Sequence, residues 1–156
     1  MKGNFKVMIL SPIGKYLLLD QDGIDKNFEK AMREIYSKVL EKTNNVAFSL
    51  EREQYGKNRM WGDVCTQLDF KDVKESDFIV AFPEDSGGVA VELGWASAMG
   101  KEILVFVDEH YRISELIKFI HLVTPAKIVK INTNNGYEPV MEKIKFEIDD
   151  YFKNKI

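Results

Sequence analysis

Phe78-Ile79-Val80-Ala81-Phe82-Pro83, followed two residues later by Ser86-Gly87-Gly88-Val89-Ala90-Val91-Glu92-Leu93-Gly94-Trp95-Ala96, decides the fold. The first run is short, apolar and closed by proline, as a buried strand is. The second opens with a helix-capping serine and two glycines, then runs on in small and apolar residues that suit a helix packed on a sheet. A strand feeding straight into a helix through a glycine-rich turn is the unit of an open α/β sheet. In such sheets ligands bind at the carboxyl edge of the strands. Free N–H groups at a helix start attract an anion, and Glu92 lies in the opening turns of that same helix. Phosphate donors and one carboxylate in a single cleft suggest chemistry on a nucleotide or sugar phosphate.

The same alternation extends in both directions. Lys6-Val7-Met8-Ile9-Leu10 reads as a first strand, ended by Ser11-Pro12-Ile13-Gly14. Residues 25–42 place Phe28, Met32, Ile35, Tyr36, Val39 and Leu40 at helical spacing. Residues 46–50 form a second strand, residues 51–58 a charged loop, and Trp61, Val64, Leu68 and Val73 mark another helix. Beyond the Glu92 helix, with Gly100 as its C-cap, Ile103-Leu104-Val105-Phe106-Val107 is a buried strand. Residues 113–122 are a short helix, residues 127–131 a fifth strand, and residues 137–152 a closing amphipathic helix. Parallel neighbours need crossover connections, almost always right-handed. The expected fold is therefore an α/β three-layer sandwich of flavodoxin or Rossmann type, its five-stranded parallel sheet in the order 2-1-3-4-5. No repeat or linker divides the chain, so residues 1–156 read as one domain.

Composition serves mainly to exclude. A net charge of −3 gives no electrostatic footprint for a nucleic-acid polymer or an anionic membrane. Cys65 is the sole cysteine, which leaves no disulfide framework and no zinc cluster. His110 and His121 lie far in sequence from Glu92 and from each other, against a metal site or a Ser-His-Asp arrangement. No apolar stretch approaches the ~20 residues that span a bilayer. The polar opening Met1-Lys2-Gly3-Asn4 does not read as a signal peptide, and the cytoplasm is the expected location.

A carboxylate near a helix N-terminus is stabilised as the anion by about 0.3–1 kcal/mol, so Glu92 is expected to be ionised and competent as a nucleophile. An ordinary acid of the first helical turns would satisfy the same pattern. Asp69, near the end of the preceding helix, is either the second carboxylate of a glycosyl-transfer site or one solvated acid among Asp69, Asp72, Glu75 and Asp77. Ser86 is a plain N-cap or a phosphate ligand, and both roles use one geometry. Trp61, Trp95, Phe119 and Phe146 read as core or subunit-contact residues, with Trp95 packing the Glu92 helix, and Cys65 as an inert buried thiol.

The stretch from Asp77 to Pro83 followed by Ser86 to Lys101 resembles the signature of the nucleoside 2-deoxyribosyltransferase superfamily. Through Val80-Ala81-Phe82-Pro83 and Glu92-Leu93-Gly94-Trp95-Ala96-Ser97 with Met99-Gly100-Lys101, it is most similar to the CMP and 5-hydroxymethyl-CMP N-glycosidases of mildiomycin- and bacimethrin-type antibiotic pathways. That resemblance implies Glu92 as the nucleophile that attacks the anomeric carbon and Asp69 as the assisting acid. It implies that Ser86, with Gly87 and Gly88, binds a 5′-phosphate, which favours a nucleoside monophosphate over a nucleoside. The loop carrying Ser11, Ile13, Gly14 and Lys15 then contacts base and phosphate, although Ile13 and Lys15 stand where the pyrimidine hydrolases carry an aromatic residue and an arginine. Arg52, in Arg52-Glu53-Gln54-Tyr55-Gly56, lies in a further family segment on the substrate side. Ser114 matches a serine that reaches the phosphate of a neighbouring subunit, so the resemblance implies a homodimer or higher assembly. The implied reaction is hydrolysis of CMP or 5-hydroxymethyl-CMP to free base and ribose 5-phosphate, with no metal or organic cofactor. Transfer of the glycosyl group to a second base, a nucleotide-binding module without turnover, and a flavin carrier of the same topology are the alternatives.

Overall fold

The computed structural model describes residues 2–19, 23–60 and 62–155. Trp61, one of the expected helix and core markers, lies outside the described residues. In chain order the elements are β1 (Gly3–Leu10), a 3-10 turn (Gly14–Tyr16), α1 (Lys26–Leu40), β2 (Thr43–Phe48), α2 (Ser49–Arg52), α3 (Gly62–Glu75) and β3 (Phe78–Ala81). They continue with α4 (Gly87–Ala98), β4 (Glu102–Asp108), α5 (Glu115–Lys118), β5 (Ala126–Ile131) and α6 (Met141–Phe152), with 3-10 turns before α6 and after α5. All four strand pairings are parallel and the order is β2-β1-β3-β4-β5, as the sequence predicts.

Period-two alternation along the central strands builds two cores. Val7, Ile9, Val80, Phe82, Leu104 and Phe106 face α1 and α6, where Phe28, Met32, Ile35, Val39, Ile144 and Ile148 meet them. Met8, Leu10, Ile79, Ala81, Ile103 and Val105 face the other way, toward Val73, Val89, Leu93, Ala96 and Ile117. Strands buried on both faces explain why these runs are apolar throughout. Asp25 starts α1 by accepting the Phe28 N–H at 2.9 Å, and Gly100 ends the turn after α4 at φ +66°.

Several element boundaries differ from expectation, and β1 already begins at Gly3. β2 begins at Thr43, whose hydroxyl bonds the Phe5 carbonyl at 2.5 Å, and it ends at Phe48, so that residues 49–52 turn into α2 and bury Leu50. The helix expected over 113–122 breaks at Phe119 (φ −112°) into α5 and a 3-10 turn, although Ile113, Ile117 and Ile120 keep their buried phase. Pro139 in the first turn holds residues 138–140 as a 3-10 turn, and α6 proper starts at Met141. Phe119 and Phe146 are exposed and not core, whereas Trp95 packs edge-on against Phe70 with ring centroids 5.3 Å apart and joins α4 to α3. No helix among the described residues is long and apolar enough to cross a membrane.

Candidate active site

The register Leu10↔Ala81 puts the ends of β1 and β3 side by side, so the loop after β1, the turn after β3 and the start of α4 share one edge of the sheet. Ser86 caps α4, its hydroxyl accepting the Val89 N–H at 3.4 Å. Gly87 and Gly88 form the exposed first turn. A Cβ at Gly87 would meet nothing within 4 Å, and one at Gly88 only the Ser86 hydroxyl at 3.8 Å. No neighbour among the described residues demands glycine there, and the pair leaves open space around the N–H groups that a helix start does not bond internally.

Glu92 sits in the second turn of α4 and points at α3. Asp69 of α3 is the acidic neighbour that bears on its carboxyl, and Arg52 from α2 pairs with Asp69 beside it. Burial, followed by the Asp69 charge and hydrogen bond, pushes Glu92 up to about 8, against a partial pull from Arg52. This corrects the expectation of a dipole-ionised glutamate. The dipole acts within the first turn and contributes about 1 kcal/mol at an exposed carboxylate, less than a tenfold change in its ionisation equilibrium. Burial and a like charge at hydrogen-bond range change that equilibrium by several powers of ten in the opposite direction. The resting site thus favours the protonated form of Glu92.

Asp69 is not a solvated surface acid. Its Oδ1 accepts from Arg52 Nη2 at 2.6 Å and from the Ser49 hydroxyl at 3.1 Å. The same guanidinium reaches Asp72 through Nη1 at 3.2 Å, and Asp72 in turn pairs with Lys6 at 2.9 Å. Arg52 Nε is buried and has no partner among the described residues. Arg52 therefore orients Asp69 as much as it offers a donor to a ligand. Cys65, one turn before Asp69, is half-buried, and burial raises its thiol.

The loop after β1 divides. The Ser11 hydroxyl is buried without a partner among the described residues. Ile13 packs against the α1 core, and Gly14 is exposed with no contact that would require it to be glycine. Lys15 forms ion pairs with Glu84 and, at 2.7 Å, with Asp85, and its ammonium lies 3.6 Å from the Tyr111 ring centre. Burial alone would lower this lysine, but hydrogen bonds to Asp85 and Glu84 outweigh it and raise it. Ser114 is exposed and caps α5 through the Leu116 N–H at 3.3 Å, and no hydrogen bond among the described residues joins it to the Glu92 group. The sequence reading passed over Ser49 and Glu84 and named Asp72 only as a solvated acid, whereas it pairs with Arg52 and Lys6.

No sequence-family model matches the chain, and no curated protein sequence does. Among solved structures it superimposes on the Clostridium botulinum CMP N-glycosidase BcmB with a TM-score of 0.60 and 25% identity, over 90% of this chain and 98% of that one. The chain is similar to a nucleotide N-glycosidase over nearly its whole length. BlsM, known from a solution structure, shares the fold with a TM-score of 0.73 at 20% identity, over 96% of this chain and 93% of that one.

The raised pKa of Glu92 makes stability depend on pH. A carboxyl whose folded pKa lies above its unfolded value contributes stability below the unfolded pKa, and this is lost as pH rises through the folded one. Between about pH 4.5 and 8 the wild type should lose stability relative to Glu92→Gln, as read from denaturation midpoints. Midpoints that run parallel across that window would show Glu92 to be ionised throughout.

Proposed function

We propose that this chain is a nucleoside 5′-monophosphate N-glycosidase that cleaves CMP or 5-hydroxymethyl-CMP to free base and ribose 5-phosphate. The observation that carries the reading is the pairing of Glu92, on the helix that opens with the exposed Gly87-Gly88 turn, with Asp69 of α3, which Arg52 braces. Similarity to a CMP N-glycosidase supports it independently.

The 5′-phosphate takes the Ser86 hydroxyl and the free N–H groups of the first turn of α4. Glu92, six residues along, lies about 9 Å from Ser86 along the axis, which leaves room for a sugar phosphate between them. The proton held by the carboxyl pair has a use in the first step. Glu92 bonds to C1′ as the C1′–N1 bond breaks, the bonding electrons leave with the pyrimidine, and the pair's proton goes to the departing base. Water then attacks C1′ of the glycosyl ester, Glu92 is freed, and one water proton returns to the pair. Atoms and charge balance with no further reactant, so the chain's own residues suffice. Arg52, anchored on Asp72, keeps Asp69 in place while the negative charge shifts between the two carboxyls.

We further propose a homodimer. Val64 and Phe70 on α3, Val91 on α4, and Leu116, Phe119, Leu122 and Val123 at and after α5 are all exposed on one side of the sheet. Exposed apolar side chains gathered on one layer in this way suit a contact with a second copy of the chain. Ser114 caps α5 directly before this segment, in keeping with a role in the neighbour's phosphate site. Sedimentation should give twice the mass of one chain, and Leu122→Asp should shift it toward one. A wild type that sediments as a monomer at micromolar concentration overturns the assembly.

Turnover tests the main reading. Chromatography should show pyrimidine released from CMP, 5-hydroxymethyl-CMP or dCMP, and none from purine monophosphates. Glu92→Ala should lower the rate at least about 10³-fold in a folded protein. Ser86→Ala should raise KM for the monophosphate about 10- to 100-fold, the value of a hydrogen bond to a charged group, with little change for the nucleoside. Base release only when a second base is supplied would indicate a transferase, and undiminished release by Glu92→Ala would remove the nucleophile.

A further inference from the structure

Glu84 is the least expected residue at the sheet edge. It is 2% exposed, yet it carries a carboxylate and sits in the left-handed region at φ +44°. Pro83-Glu84-Asp85-Ser86 is a turn closed by the Ser86 N–H donating to the Pro83 carbonyl at 2.9 Å. Positive φ at the second turn position ordinarily calls for glycine, asparagine or aspartate. Three outside donors hold Glu84 there. The Tyr16 hydroxyl donates at 3.0 and 2.9 Å to its two oxygens, the Tyr137 hydroxyl donates at 2.5 Å, and Lys15 forms an ion pair with it. Tyr16 and Lys15 come from the loop after β1, and Tyr137 from the loop after β5. Burial keeps both phenols well above their ordinary range, so they remain donors.

The geometry points to Glu84 as a positioning residue that aims the Ser86-Gly87-Gly88 turn at the 5′-phosphate, with Lys15 acting as its counter-ion more than as a phosphate ligand. A buried acid in a strained conformation persists only where its surroundings over-determine it, and such residues cluster at functional sites. Glycine would relieve the backbone, and an apolar side chain would fill the space without an uncompensated charge. Neither would tie the loops after β1, β3 and β5 to one point directly before the anion-binding turn. The inference rests on the phosphate role proposed for Ser86 and assigns its geometry to a residue that does not touch substrate.

The test compares wild type, Glu84→Ala, Glu84→Gln and Tyr137→Phe by steady-state release of base from CMP and cytidine. In parallel, the Gly87 and Gly88 amide signals are followed as inorganic phosphate is titrated. Glu84→Ala should raise KM for CMP about tenfold, with kcat within about threefold and cytidine unaffected. Glu84→Gln, which keeps an acceptor for the tyrosines, should recover part of the loss, and Tyr137→Phe should show a weaker form of the same split. If Glu84→Ala does not fold, Tyr137→Phe carries the comparison. A folded variant whose CMP KM and phosphate response match the wild type overturns the inference, as does a wild type whose glycine amides ignore phosphate. A wild type that releases no base, yet shows a phosphate response lost in Glu84→Ala, removes the N-glycosidase reading and leaves the positioning role standing.

Discussion

The pairing of β1 with β3 in the middle of a parallel sheet is the constraint on which the rest depends. Both strands are buried on both faces, and a one-residue slip would exchange every side chain between the two cores. With Leu10 opposite Ala81, the chain must leave both strands at one edge, so Ser11 and the Pro83–Ser86 turn become neighbours in space. The β2–β1 pairing then brings α2, with Ser49 and Arg52, toward the same edge. Helix α4 packs through Val89, Leu93 and Ala96, which fixes the direction in which Glu92 projects.

Electrostatics at that edge follow from burial more than from dipoles. Glu92, Asp69, Asp72 and Glu84 gather acid where an anionic substrate would bind, and three of the four have dedicated partners. Arg52 spans Asp69 and Asp72, Lys6 shares Asp72, and Lys15 with two tyrosines serves Glu84. Glu92 has no ion pair among the described residues, and burial favours its protonated form. A partly buried carboxyl pair with one proton between them can give up a nucleophile and an acid from the same unit.

Much of this was legible in the sequence. Runs such as residues 103–107 are too apolar and β-branched for anything but a doubly buried strand, and the alternation of strands and helices leaves few topologies. Glu92 drew notice because a helix start follows a buried strand, whereas Asp69, in the middle of α3, stood out from its neighbouring acids only through the family resemblance. What the sequence concealed depends on distance along the chain. Glu84 stands between Pro83 and Asp85 like any turn acid, and its partners Tyr16 and Tyr137 are 68 and 53 residues away. The ionisation of Glu92 was misjudged because a local rule, the helix dipole, was weighed without the burial that only the packed α3–α4 pair creates. Lys15 was expected to contact base and phosphate, and the acids that hold it, Glu84 and Asp85, follow another strand.

A covalent glycosyl ester on Glu92 is the intermediate through which the proposed reaction runs. Rapid quenching of the enzyme with CMP, followed by peptide mass spectrometry, should capture it. A ribose 5-phosphate adduct is expected on the peptide containing Glu92, formed at the rate of base release and lost on further incubation. Base release without any adduct, and with inverted configuration at C1′ of the first-formed sugar, would contradict it and assign attack to water.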